Sequence, residues 1–229
     1  MSFAVMQPYL FPYLGYYQLV NAVDKFVFYD DVTFIKGGYI NRNNILSNGK
    51  AQRFTIPVPG MSSNTLINEL SFDKNIKKIL KTIEQSYKKA PYFEHVFPFI
   101  ESVLNNENRH VDLICAKSIS LVFKYLGIQK QFYFSSELDY NRDLPAADKL
   151  IAMASIVKST DYINSPGGKL LYDKKYFSEK EINLSFIEIE EYQYSQNTNE
   201  FVPHLSMIDV LMWNSKAQVV DLLTKYKLV

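Results

Sequence analysis

Apolar and polar positions fall into blocks that read in turn as strands and helices. A short apolar run, Phe3-Ala4-Val5-Met6, passes into Gln7-Pro8-Tyr9-Leu10-Phe11-Pro12-Tyr13. Two prolines four residues apart rule out a regular helix there, so a strand gives way to a stiff polar loop. Gly15 opens a helix over 15–23, and Phe26-Val27-Phe28 marks a second strand ending in Asp30-Asp31. Asn48-Gly49 is a turn signal. Beyond it Phe54, Ile56 and Val58 share one face of a strand over 52–59, and a short strand follows over 66–72. From residue 74 the period changes to that of a helix: Ile76, Ile79, Leu80 and Ile83, then Phe93, Val96, Phe97 and Ile100, then Val111, Ile114, Cys115, Ile119 and Val122. These stripes predict helices over 74–88, 92–105 and 109–126, the second kinked at Pro98 and the third closed by Gly127. Alternation then resumes, with strands over 131–134, 161–164 and 184–189. Helices are expected over 144–157 and 169–179, with one long helix over 206–225.

Strands alternating with helices argue an α/β fold with a mostly parallel, Rossmann-like sheet. The run of helical stripes makes 74–126 a helical insertion, and 1–229 reads as one domain. There is no internal repeat or low-complexity tract.

Charge narrows the function. Lys and Arg number 25 against 24 Asp and Glu, a net charge of +1, which gives no general attraction for nucleic acid or an anionic bilayer. No apolar run reaches the roughly 18 residues of a membrane span. The first residues lack the basic and apolar regions of a signal peptide, so a cytoplasmic location is expected. A single cysteine, Cys115, excludes an internal disulfide and a multi-thiolate metal site. It lies on the apolar face of its predicted helix, where an inert buried thiol is expected. Tyr (17) and Phe (16) are abundant. Such rings stack on sugars and bases, but their even spread along the chain also fits compositional bias.

Candidate chemistry collects where predicted strands end, the usual ligand edge of an open α/β sheet. Gln7 and Tyr9 sit in the proline-stiffened loop, which can fix them in one pose or simply shape a buried crossover. Asp30 and Asp31 can serve as a general base or grip amines and hydroxyls; alternatively they cap a turn. Adjacent on extended chain, they point to opposite faces, so one of the two enters a given site. Lys36, Asn41, Arg42 and Asn43 belong to a polar loop in which Gly37-Gly38 permits close backbone approach and Arg42 offers a fork for phosphate or carboxylate. Ser135 and Glu137 follow the 131–134 strand. Ser165, Gly167 and Gly168 follow the next one and open a helical stretch containing Tyr172, an arrangement that suits an anion or a plain structural turn. Ser206 and Asp209 form a variant capping box, with Asp209 reaching back. His204, just ahead, is a further candidate base. The three histidines lack paired metal spacing, so no zinc site is expected.

The motifs Gln7-Pro8…Phe11-Pro12-Tyr13-Leu14-Gly15-Tyr16, Tyr29-Asp30-Asp31-Val32, Lys36-Gly37-Gly38-Tyr39-Ile40-Asn41-Arg42-Asn43, Ser135-Ser136-Glu137, Ser165-Pro166-Gly167-Gly168 and Phe201-Val202-Pro203-His204-Leu205-Ser206-Met207-Ile208-Asp209 resemble those of the WbqC-like protein family, nearly end to end. Tyr39 stands where Trp is common, and Asn214-Ser215-Lys216 lacks an expected Gly.

The resemblance implies a product of surface-polysaccharide (O-antigen) gene clusters. The implied activity is glycine, aminoacyl or acyl transfer to the amine of a nucleotide-linked amino sugar. Its implied partners are that sugar and an acyl or aminoacyl donor, a carrier-protein thioester among the candidates; the cofactor stays open. Asp30, Asp31 or His204 would take the amine proton. Two alternatives stand beside this: a nucleotidyltransferase-like or ATP-activating enzyme, weakened by the lack of a His motif after the first strand, and a non-catalytic sugar-binding or scaffold protein.

Overall fold

The computed structural model describes residues 1–229. Its central sheet contains β1 (Ser2–Met6), β2 (Lys25–Phe28), β5 (Gln131–Phe134), β6 (Asp161–Asn164), β7 (Asn183–Ile189) and β8 (Tyr226–Leu228). Their spatial order is β5-β2-β1-β6-β7-β8, and only the β7–β8 pair is antiparallel. Taken in chain order among these six, this is the doubly wound arrangement 3-2-1-4-5-6, whose direction of winding reverses between β1 and β6. The mixed α/β fold with a mostly parallel sheet is therefore present as the sequence predicts.

Period-two alternation sends residues to two cores. Ala4, Phe26 and Phe28 face one side, covered by α1 (Leu14–Asn21), α4 (Val111–Leu126), α7 (Met207–Trp213) and α8 (Lys216–Leu222). Phe3, Val5 and Val27 face the other, covered by α5 (Ala146–Ile156) and α6 (Lys174–Ser178). Between β2 and β5 the chain forms a hairpin of β3 (Arg42–Ser47) and β4 (Lys50–Thr55), followed by α2 (Lys77–Tyr87), α3 (Phe93–Leu104) and α4. Asn48 and Gly49, at φ of 50° and 72°, make its two-residue turn. Gly127 closes α4 in the left-handed conformation, and Pro98 lies inside α3.

Several elements differ from the pattern reading: the helix expected over 169–179 is a 3-10 turn at Pro166–Leu170 followed by the short α6, and the strand expected over 52–59 ends at Thr55. Residues 66–72 form a short 3-10 turn at Ile67–Glu69 with isolated bridges, because Glu69 bonds back to the Leu66 amide at 3.0 Å. The polar loop is shorter than expected, since Arg42–Ser47 pairs as β3. The long final helix is broken at Asn214, which is extended. Ser215 and Gln218 cap a new helix reciprocally, and β8 follows it.

Candidate functional site

The carboxyl edge of the sheet carries a cleft made of two adjoining cavities. The larger, of about 910 Å³, lies over the end of β7, between Ile189–Gln193 and the 200–204 segment. The smaller, of about 360 Å³, lies between the β1–α1 loop and the start of the hairpin, lined by Tyr9, Tyr39, Asn43 and Asn44 among others. Tyr13, Ile189, Pro203 and His204 line both.

The walls follow from local chain geometry. Phe11 sits at φ 41° and His204 at φ 57°, left-handed conformations that non-glycine residues seldom adopt and that tertiary bonds must hold in place. Ser206 supplies several of those bonds. Its Oγ donates to the Phe11 carbonyl at 2.7 Å, its amide donates to the Asn44 carbonyl at 2.8 Å, and it caps α7 by accepting from the Ile208 amide. Asn43 is buried and also donates to the Phe11 carbonyl. Gly15 brings α1 against β7: a Cβ there would lie 2.3 Å from Ile189 Cδ1 and 2.4 Å from the Tyr13 ring. The Tyr13 and His204 rings meet edge to face, with centroids 6.4 Å apart. Burial raises the phenols of Tyr9 and Tyr13 and pushes Tyr192 up to about 12, so all three remain protonated donors at neutral pH.

Of the residues the sequence singles out, Tyr9, Asn43 and His204 meet in this cleft. Asp30 and Asp31 do not line it. They sit at the end of β2 and tie it to the end of β5. Asp30, 1% exposed, accepts from Ser135 Oγ at 2.9 Å and from the Ser136 amide and hydroxyl at 3.0 and 2.5 Å. Asp31 accepts from Tyr140 at 2.9 Å and from Arg142 Nε at 2.8 Å, and it shares the single Ser135 hydroxyl proton with Asp30. Both carboxylates are thus engaged by donors on one side of the sheet edge. The expectation that only one of the pair enters a shared site meets a different geometry, because the chain turns after β2 and both reach the same Ser135 hydroxyl.

The remaining candidates are dispersed. Gln7 follows β1; its carbonyl accepts from Tyr16 at 2.8 Å, and its Oε1 is buried without a partner. Arg42 Nε donates to the Gly38 carbonyl at 2.8 Å, Asn41 donates to the Ile56 carbonyl, and Lys36 and Glu137 are exposed. Ser165, Gly167 and Gly168 form a 3-10 turn after β6, where Gly168 is needed because a Cβ would lie 2.3 Å from Asn164 Nδ2. Tyr172 packs edge to face on Tyr162 beyond that turn. Asp209 does not reach back to cap its own helix. It is fully buried and accepts from Tyr87, Tyr194 and Gln196 at 2.8, 2.7 and 2.9 Å, while desolvation raises its carboxyl. Cys115 is buried, and desolvation holds its thiol well above the usual value. No three His, Cys, Asp or Glu side chains are grouped to hold a metal ion.

Sequence reasoning missed Tyr13, Glu190, Glu191, Tyr192 and Phe201 as cleft residues. The signal was present: Glu190-Glu191-Tyr192 follows a predicted parallel strand, in the same position as Asp30 after β2.

No helix is long and apolar enough to cross a membrane. No solved structure matches the chain. The uncharacterized protein Rv1507c of Mycobacterium tuberculosis is similar, 25% identical over 225 residues that span 96% of each chain. The model of the WbqC-like protein family matches residues 7–221, a span that includes both cavities, and the chain belongs to that family.

Proposed function

We propose that the protein is an acyl or aminoacyl transferase of surface-polysaccharide (O-antigen) biosynthesis, acting on the amine of a nucleotide-linked amino sugar within this cleft. The observation that carries the reading is the junction of two cavities at His204: two substrates can enter from different sides and meet there. Tyrosine rings and the Asn44 amide in the smaller cavity suit the faces and hydroxyls of a sugar or base. In the reaction the amine nitrogen attacks the carbonyl carbon of an activated acyl group. A C–N bond forms, the C–S or C–O bond to the carrier breaks, and the leaving thiol or hydroxyl departs. His204 accepts the proton lost by the amine. It fits this role better than Asp30 or Asp31, whose oxygens are taken up by Ser135, Ser136, Tyr140 and Arg142.

The doubly wound strand order favours a second reading, a nucleotide-activating enzyme of the same pathway. The residues lining the cleft include no Lys or Arg, which weighs most against a triphosphate and, with less charge to neutralise, against the phosphates of a nucleotide-linked sugar as well.

Single-turnover transfer to nucleotide-linked amino sugars tests the assignment. His204→Gln is expected to lower the rate about 100-fold or more, with substrate affinity within about threefold. Wild-type turnover in that variant removes His204 from the mechanism. Heat of binding with a nucleoside triphosphate, and none with the sugar, would favour the second reading.

A further inference from the structure

The turn after β6 ends in the two most exposed large apolar side chains of the protein. Leu170 is 93% and Leu171 75% exposed, and neither belongs to a hydrophobic core or packs against one. The turn that carries them is nevertheless firmly anchored. Gly168 is buried against Asn164, and its carbonyl accepts from the Leu171 and Tyr172 amides, each at 3.0 Å. The Tyr172 ring packs edge to face on Tyr162 and Phe177. The fold therefore holds the two leucines in solvent on a fixed support, where a lone exposed apolar residue would be unremarked but an adjacent pair is a candidate contact.

Positive charge flanks the pair. Lys169 precedes it, and Lys174 and Lys175 open α6; all three are exposed and none forms an ion pair. Asp173, the one carboxylate between them, turns back to cap α6 and accepts from the Lys175 amide at 2.9 Å. Residues 165–178 thus carry three Lys against one Asp, a local excess within a chain whose net charge is +1. Leucines beside free ammonium groups match the surface of an anionic bilayer, where apolar side chains reach the acyl boundary and lysines meet lipid phosphates. A two-fold pairing of this patch with a second copy would set the same three lysines against one another.

We propose that the Lys169–Lys175 turn docks the protein reversibly on an anionic phospholipid bilayer, with Leu170 and Leu171 entering the headgroup region. The proposal stands apart from the transferase reading. Because β6 and β7 are neighbouring parallel strands, the turn after β6 and the larger cavity over the end of β7 share one sheet edge, and docking holds that edge near the lipid.

Co-sedimentation tests this with vesicles of phosphatidylcholine alone and of phosphatidylcholine with about 30% phosphatidylserine. The protein is expected to bind the anionic vesicles about tenfold more tightly than the neutral ones, and to lose most of that preference when NaCl rises from about 0.05 to about 0.5 M. Leu170→Ser/Leu171→Ser should weaken binding to anionic vesicles about tenfold or more. Lys169→Gln/Lys174→Gln/Lys175→Gln should bring the two vesicle types within about twofold of each other. All five side chains are exposed, so thermal unfolding of both variants should follow the wild type. No binding to anionic vesicles, equal binding to both kinds, or binding that survives the leucine substitutions overturns the proposal. So does self-association without lipid that the leucine substitutions abolish, which would make the pair a contact between copies of the chain.

Discussion

Asn43 and Ser206 donate to one acceptor, the Phe11 carbonyl, from Nδ2 at 2.6 Å and from Oγ at 2.7 Å. The two residues come from β3 and from the cap of α7, and the carbonyl belongs to the β1–α1 loop. The Met207 amide N–H also donates a hydrogen bond to the Pro12 carbonyl at 2.8 Å. Three distant segments are thus clamped at a residue whose backbone is left-handed, and the smaller cavity is the space between them.

Removing either donor leaves the other in place, so the two contributions should couple. Ser206→Ala is expected to cost about 1–2 kcal/mol, because it also removes the α7 cap, and Asn43→Ala about 1–2 kcal/mol. The double variant should depart from the sum of the singles by at least about 0.5 kcal/mol. Urea unfolding of the four proteins measures this. Strict additivity would show that the shared carbonyl is not what joins them.

Gly15 offers a test of the cleft with little change in side-chain chemistry. A Cβ at 2.3 Å from Ile189 Cδ1 and 2.4 Å from the Tyr13 ring must displace two residues that line both cavities. Gly15→Ala is expected to lower stability by about 1–3 kcal/mol despite the better helix propensity of alanine. Ligand affinity in the cleft should fall about tenfold or more. A variant with intact stability and affinity would mean that α1 and β7 can part at no cost.

These particulars show what the residue pattern could and could not convey. Phe3, Ala4 and Val5, like Phe26, Val27 and Phe28, alternate between the two cores, so strand type and burial were legible directly. Positions after parallel strands were legible as one edge of the sheet, and Tyr9 and His204 line the cleft there. Which end-of-strand residues face open space was not legible, because that depends on tertiary partners. Asp30 and Asp31 looked available only while Ser135, Ser136, Tyr140 and Arg142 were far away in the chain. Asp209 likewise had no visible reason to turn from its own helix until Tyr87 and Tyr194 came beside it. The break at Asn214 was legible after all, since Ser215-Lys216-Ala217-Gln218 carries a capping signature that the apolar stripe of the last helix obscured.

The pair at the end of β2 predicts a stability phenotype in place of a catalytic one. Asp31 is buried against a half-exposed Arg142, so Asp31→Ala removes the acceptor of the Tyr140 hydroxyl and of Arg142 Nε, while Ser135 keeps Asp30 and the rest of the guanidinium keeps its carbonyl partners. A loss of about 2–4 kcal/mol is expected. At temperatures where the variant is folded, ligand affinity in the cleft should stay within about threefold. Loss of binding with full stability would reassign Asp31 to the site.

Asp112, in the first turn of α4, predicts how stability responds to pH. The carboxyl is buried, its Oδ1 has no hydrogen-bond partner, and its pKa is raised from 3.8 to about 6. Desolvation is the main cause; the nearby Asp30 charge adds to it, while the Leu113 amide and His110 oppose it. A carboxyl with a raised folded-state pKa favours the folded protein in its protonated form. Its ionised form therefore costs stability progressively as pH rises from about 3.8 to about 6, and by a constant amount above that window. Asp112→Asn removes the charge and keeps the shape. Relative to wild type, the variant should gain about 1–2 kcal/mol between pH 4 and pH 7, less than the full shift implies because solvent screens a carboxyl that is not completely enclosed. Paired urea titrations across that range decide the matter. Parallel pH profiles for the two proteins would mean that a donor or solvent satisfies Asp112 Oδ1 and the carboxyl titrates in its ordinary range.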